Sequence, residues 1–159
     1  MKKRIILVAA IFSVLLMFAG CGLFRGPTVE IQIGRMYPTQ WFFFSIHSVE
    51  RVDGFAGRTA APGHQLWKVE ITQIGTFPEP VPMGTFDWFM DDDSFRAYMW
   101  PHIAFDGRMM PEFFWLDIGQ RETHIMLFEV PAETTNLTLN FVEIDYYGAE
   151  GSHFVLRLQ

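Results

Sequence analysis

The sequence predicts an all-β chain folded as an antiparallel β-sandwich, and three observations carry that expectation. Leu66-Trp67-Lys68-Val69-Glu70-Ile71-Thr72 alternates strictly, with Trp67, Val69 and Ile71 on one face and Lys68, Glu70 and Thr72 on the other. No stretch after residue 28 carries apolar residues at the 3.6-residue period of a helix. Short apolar runs are instead separated by Gly, Pro and Asp clusters, the punctuation of about eight short strands.

The elements follow in chain order. Gly22 to Thr28 reads as a tether, and Val29, Ile31 and Ile33 then alternate with Glu30 and Gln32. Trp41-Phe42-Phe43-Phe44-Ser45-Ile46 is apolar on both faces and continues to Val52, before a loop from Asp53 to Gly63. Pro78, Pro80 and Pro82 rule out a regular central strand around Val81, because proline donates no ladder hydrogen bond. Phe86 to Met90 and Phe95 to Trp100 flank a turn at Asp91-Asp92-Asp93-Ser94. Pro101 to Met110 is irregular, and Phe113 to Leu116 is a strand. Thr123 to Val130, closed by Pro131, and the alternating Leu137-Leu139-Phe141 and Phe154-Leu156-Leu158 complete the set.

Four pieces of this layout resemble the immunoglobulin-like, telokin-like domains of bacterial lipoproteins. They are Ser45-Ile46-His47-Ser48-Val49-Glu50, Leu66 to Thr72, Phe86-Asp87-Trp88-Phe89-Met90-Asp91-Asp92, and Gly119-Gln120-Arg121-Glu122 running through Phe128-Glu129-Val130-Pro131 into Leu137-Thr138-Leu139. The resemblance implies an immunoglobulin-like sandwich over residues 29–159 and an exported location. It implies no catalytic residues.

The start of the chain points the same way. Lys2, Lys3 and Arg4 precede a fourteen-residue apolar run, Ile5 to Phe18, and Ala19-Gly20 then leads to Cys21. A basic tip, a short hydrophobic segment and small residues make a secretory signal over residues 1–20. The cysteine after it resembles the lipobox of bacterial lipoproteins, which implies lipidation at Cys21, a tether over 21–28 and attachment to the outer side of the cell membrane. Cys21 is the only cysteine, so it has no disulfide partner within the chain. Fourteen residues also fall short of the ~20 that a membrane-spanning helix needs.

With the signal removed, nine basic residues face 18 acidic ones, and the net charge moves from −6 to −9. Such a domain repels nucleic acid, which is excluded as a partner. Aromatic residues make up 16% of the chain, 17 of them Phe, and that surface must enter a core, a partner or a ligand.

Candidate chemistry is sparse. Asp91, Asp92 and Asp93 are consecutive, whereas calcium loops alternate their carboxylates and include a glycine, so they read as a solvated turn. His47, His64, His102, His124 and His153 fit no metal or catalytic spacing, and Ser152-His153 diverge on a strand. Met99, His102, Met109 and Met110 could hold copper(I), but methionine beside Trp100, Phe105 and Phe113 reads as core filling. No cofactor and no metal is expected. The aromatic runs are left, and Trp41, Phe43, Phe113 and Trp115 are the candidates for a partner or glycan surface. The function expected is a non-enzymatic binding or assembly module that engages an envelope protein. A cell-wall carbohydrate is the alternative, and an enzyme with an unrecognised site the third class.

Overall fold

The computed structural model describes residues 26–84, 87–92, 96–98, 103–104, 108, 113–144, 148 and 150–158. The expected signal and Cys21 lie outside these, as do Asp93, His102 and the three methionines beside it. Every regular element among the described residues is a strand. In order they are β1 (Thr28–Glu30), β2 (Tyr37–Pro38), β3 (Phe42–Val52), β4 (Gly54–Phe55), β5 (Arg58–Thr59), β6 (His64–Gly75) and β7 (Val81–Gly84). There follow β8 (Trp88–Asp91), β9 (Arg96–Tyr98), β10 (Ile103–Ala104), β11 (Phe113–Leu116), β12 (Arg121–Pro131), β13 (Thr138–Ile144) and β14 (Glu150–Arg157).

Two five-stranded sheets form the sandwich, in the orders β1-β14-β13-β8-β9 and β10-β12-β6-β3-β2. This is an immunoglobulin-like arrangement. Strands β3, β6, β12 and β10 take the places of A, B, E and D, and β14, β13, β8 and β9 those of G, F, C and C′. Strand β1 adds to β14 in parallel, pairing Thr28 with His153 and Glu30 with Val155.

Phe44 sits at the centre of the core, fully buried. Tyr37 stacks on it at 5.6 Å, and Trp88 and Phe154 meet it edge-on, each at 5.1 Å. Trp88 and Phe154 come from the opposite sheet, so these rings hold the two layers together. On β6, Val69 and Ile71 face this core and Trp67 packs half-buried against it, as the alternation predicts. Strand β3 keeps its core face through a bulge. Ile46 pairs with Ile71 and Ser48 with Glu70, which leaves His47 as the extra residue and returns Val49 to the core opposite Val69. The His47 Nε2 then lies 2.8 Å from the Thr72 hydroxyl on the outer face.

That outer face departs from the polar surface expected opposite Trp67. Leu66, Ile125 and Leu127 form a second buried cluster there, packed by Val52, Phe55 and Ala60. The expected loop after Asp53 is a hairpin, β4–β5, whose tip residues Ala56 and Gly57 have φ of 49° and 75°. Both central residues of a tight hairpin turn need positive φ to match strand twist. Lys68 lies over the Phe55 ring and pairs with Glu50 at 2.7 Å.

Between Gly75 and β8, Val81–Gly84 does form a strand despite its prolines, but among the described residues it pairs only with β11. The B–C and D–E connections thus meet as a two-stranded ribbon at one end of the sandwich. A bridge from Gly75 to Ile118 joins it to β6. A side chain at Gly75 would lie 2.1 Å from the carbonyl oxygen of Asp117, so this close approach requires glycine.

Candidate functional site

The ribbon end of the sandwich holds a cleft of about 380 Å³. Its floor is the edge of the core, Phe42 and Phe141, and Val81, Pro82 and Met83 of β7 make one wall. Trp41 and Phe77 make another, meeting edge-on with centroids 4.7 Å apart at 65°.

Local hydrogen bonds position Trp41. The Thr39 hydroxyl accepts from the backbone N–H of Trp41 at 3.1 Å and of Phe42 at 3.0 Å, closing a turn just before β3. The Trp41 carbonyl accepts from the N–H groups of Thr76 and Phe77, both at 3.2 Å. Its indole Nε1–H donates to the Ile144 carbonyl at 2.9 Å.

One carboxyl points into this apolar setting. Asp87 is half-buried, and its Oδ2 accepts from the Gly84 N–H at 2.8 Å. Burial pushes its pKa above the ordinary range, because a low-dielectric wall penalises the charged form. The Gly84 hydrogen bond pulls the other way and is the smaller effect. Glu79 lines the mouth and is exposed.

The four aromatic residues singled out in the sequence fall in three places. Trp41 is a cleft wall, and Phe43 is 40% exposed on the outer face of β3, beside Pro38 and Ile74. Phe113 and Trp115 stand together on β11, 58% and 61% exposed, while Phe114 and Leu116 between and beside them are buried. Phe113 lies across Gly84, where an added Cβ would come within 2.8 Å of its ring. Trp115 pairs with Pro82, which also lines the cleft, so ribbon and cleft adjoin. Sequence reasoning missed Asp87 and Phe77 as site residues. A lone carboxylate within Phe86-Asp87-Trp88-Phe89 was the available signal.

A second hollow, about 420 Å³, lies on the outer face of the β1-β14-β13-β8-β9 sheet. Its polar groups engage one another. Asp91 Oδ1 accepts from the Thr138 hydroxyl at 2.7 Å and from Asn140 Nδ2 at 3.2 Å, and Arg96 approaches Asp91 Oδ2 at 3.6 Å. His153 Nε2 lies 3.1 Å from Asn140 Oδ1 rather than beside Ser152. Asp91 therefore closes β8 inside a network instead of standing in a solvated turn. No group of three or more His, Cys, Asp or Glu among the described residues could hold a metal ion.

Neither a scan against protein-family models nor a search of curated proteins finds a match. Solved structures do match. An uncharacterised β-sandwich protein from Clostridium difficile 630 superposes with a TM-score of 0.60 at 12% identity, over 85% of this chain and 97% of that one. A secreted protein of Mycobacterium tuberculosis, MPT63, gives 0.54 at 11%, over 80% and 96%. The ycdA protein of Bacillus subtilis, described as a candidate lipoprotein, gives 0.53 at 11%, over 77% of this chain but 38% of its own. The likeness shows the fold.

Proposed function

We propose that this protein is an extracytoplasmic lipoprotein of the telokin-like, immunoglobulin-like kind, anchored through Cys21, whose sandwich is a non-enzymatic protein-binding or assembly module. One observation carries the binding role: Phe113 and Trp115 stand 58% and 61% exposed on a two-stranded ribbon. Exposing two large rings side by side is unfavourable in water, and buried aromatic anchors dominate protein interfaces. The ribbon also sits at the end where immunoglobulin variable domains carry binding loops, an analogy of fold that adds support. For location, the basic and apolar start of the chain and the small residues before Cys21 support export. The secreted and candidate-lipoprotein descriptions of two structural neighbours agree with it. An anchor would confine the ribbon near envelope partners and raise their effective concentration.

A cell-wall glycan is the second reading. Phe113 and Trp115 occupy alternate positions of one strand and so point to the same side, as a sugar-stacking platform requires.

The test places a photo-crosslinking amino acid at Phe113, Trp115 or the exposed Arg157 of the full chain in its native membrane. One identified protein captured from the first two positions and not from Arg157 supports the module. A peptidoglycan adduct selects the glycan reading, and identical capture at all three positions removes both. Fatty-acid labelling of Cys21→Ala beside the unaltered chain tests the anchor, and equal label would remove it.

A further inference from the structure

The cleft at the ribbon end is one-sided in charge. Asp87 and Glu79 line it, and no lysine, arginine or histidine is among its described lining residues. Asp87 is also incompletely matched. Its Oδ2 is held by the Gly84 N–H, while Oδ1 makes no hydrogen bond among the described residues. A carboxylate half withdrawn from water, with one oxygen that makes no hydrogen bond among the described residues, favours a guest that brings positive charge and N–H donors. An anionic guest meets two carboxylates, and a neutral apolar guest leaves Oδ1 unpaired.

The walls add a second criterion. Trp41 and Phe77 meet at 65° with centroids 4.7 Å apart, which forms an aromatic corner rather than a flat face. Ring faces attract cations, and organic cations more readily surrender their water to such a corner than metal ions do. A metal ion also wants several oxygen ligands, whereas the described residues contain no cluster of three or more acidic or histidine groups. The volume, about 380 Å³, lies within the ~300–1,000 Å³ range of small-molecule sites.

We propose that this cleft binds a small primary ammonium ion with an apolar body. Its N–H groups donate to Asp87 Oδ1, and its hydrocarbon part packs on Trp41, Phe77 and Met83. The cleft shares its β7 wall with the ribbon, but neither Phe113 nor Trp115 is among its lining residues, so occupancy of the cleft and of the aromatic surface are tested separately.

The experiment is calorimetric titration of the full chain, in a maltoside detergent free of ammonium groups, with benzylammonium. Benzyl alcohol, benzoate and benzyltrimethylammonium serve as neutral, anionic and donor-free comparators. Benzylammonium is expected to bind at least ~10-fold more tightly than the alcohol or the trimethylated ion, as for one charge-assisted hydrogen bond. Benzoate is expected not to bind. Asp87→Asn keeps an acceptor for the Gly84 N–H and is expected to bring benzylammonium down to the level of the alcohol. Glu133→Gln, exposed and outside the cleft, is expected to change affinity by less than ~3-fold. Equal affinity for ammonium and alcohol overturns the proposal, as does unchanged affinity in Asp87→Asn. Absence of benzylammonium binding up to ~10 mM overturns it too. If circular dichroism shows that Asp87→Asn does not fold, the ranking of the four ligands on the unaltered chain decides.

Discussion

The indole Nε1–H of Trp41 donates to the main-chain carbonyl of Ile144 at 2.9 Å, tying the residue before β3 to the last residue of β13. Those strands belong to opposite sheets, and their neighbours repeat the link. The Glu143 carboxylate accepts from the Gln40 N–H, and also from the Ser152 N–H at 3.4 Å. The cleft therefore opens at an end where the layers are stitched by hydrogen bonds as well as by packing.

Trp41→Phe retains a ring against Phe77 and removes only the donor. It is expected to cost about 0.5–1.5 kcal/mol, the net worth of one hydrogen bond. Urea unfolding measures it, and a change indistinguishable from zero would mean that the link to Ile144 adds nothing.

Gln73 is fully buried, and neither amide atom has a partner among the described residues. An unmatched buried amide costs about 1–3 kcal/mol, so Gln73→Met, which preserves volume and removes the polar atoms, is expected to stabilise by that order. The readout is a higher urea midpoint at unchanged slope. A lower midpoint would point to an ordered water satisfying the amide.

Trp67→Ala and Lys68→Ala probe the two faces of β6. Trp67 packs against the main core, and its loss is expected to cost about 3 kcal/mol. Lys68 is not a bystander. Its ammonium meets Glu50 at 2.7 Å and lies over Phe55, so its removal is expected to cost about 1 kcal/mol. Equal losses in urea melts would contradict the assignment of faces.

Asp87 should leave a mark on stability against pH. Burial raises its folded pKa above the ordinary 3.8, so the folded chain holds this proton more tightly than the unfolded chain. Its favourable contribution is therefore present below the ordinary value and lost as pH rises through the raised one. Asp87→Asn removes that loss. Relative to the unaltered chain, the variant is expected to gain stability from acid to neutral pH and level off above the folded pKa. A difference that stays constant, or runs the other way, would show that Asp87 is not raised.

The alternation in Leu66 to Thr72, the pairing of β8 with β9 and the restriction that prolines place on Val81 could be read directly. Each depends on residues within a few positions of one another. Backbone period and proline chemistry act locally, so the sequence by itself determined an all-β sandwich and the core face of β6. It could not say that the opposite face of β6 is also buried. That depends on Ile125 and Leu127 arriving beside Leu66, and on Phe55 folding over them. Likewise, Trp41-Phe42-Phe43-Phe44 and Phe113-Phe114-Trp115 give no clue to which rings meet water. Tertiary structure decided it, burying Phe42, Phe44 and Phe114 while leaving Phe43, Phe113 and Trp115 exposed. The cleft was decided the same way. Trp41, Asp87 and Ile144 are far apart along the chain and converge only when the sheets pack and the ribbon closes over their end. Hydrophobic burial is non-directional and is satisfied by whichever partner arrives, so local pattern sets the strands and long-range packing sets the site.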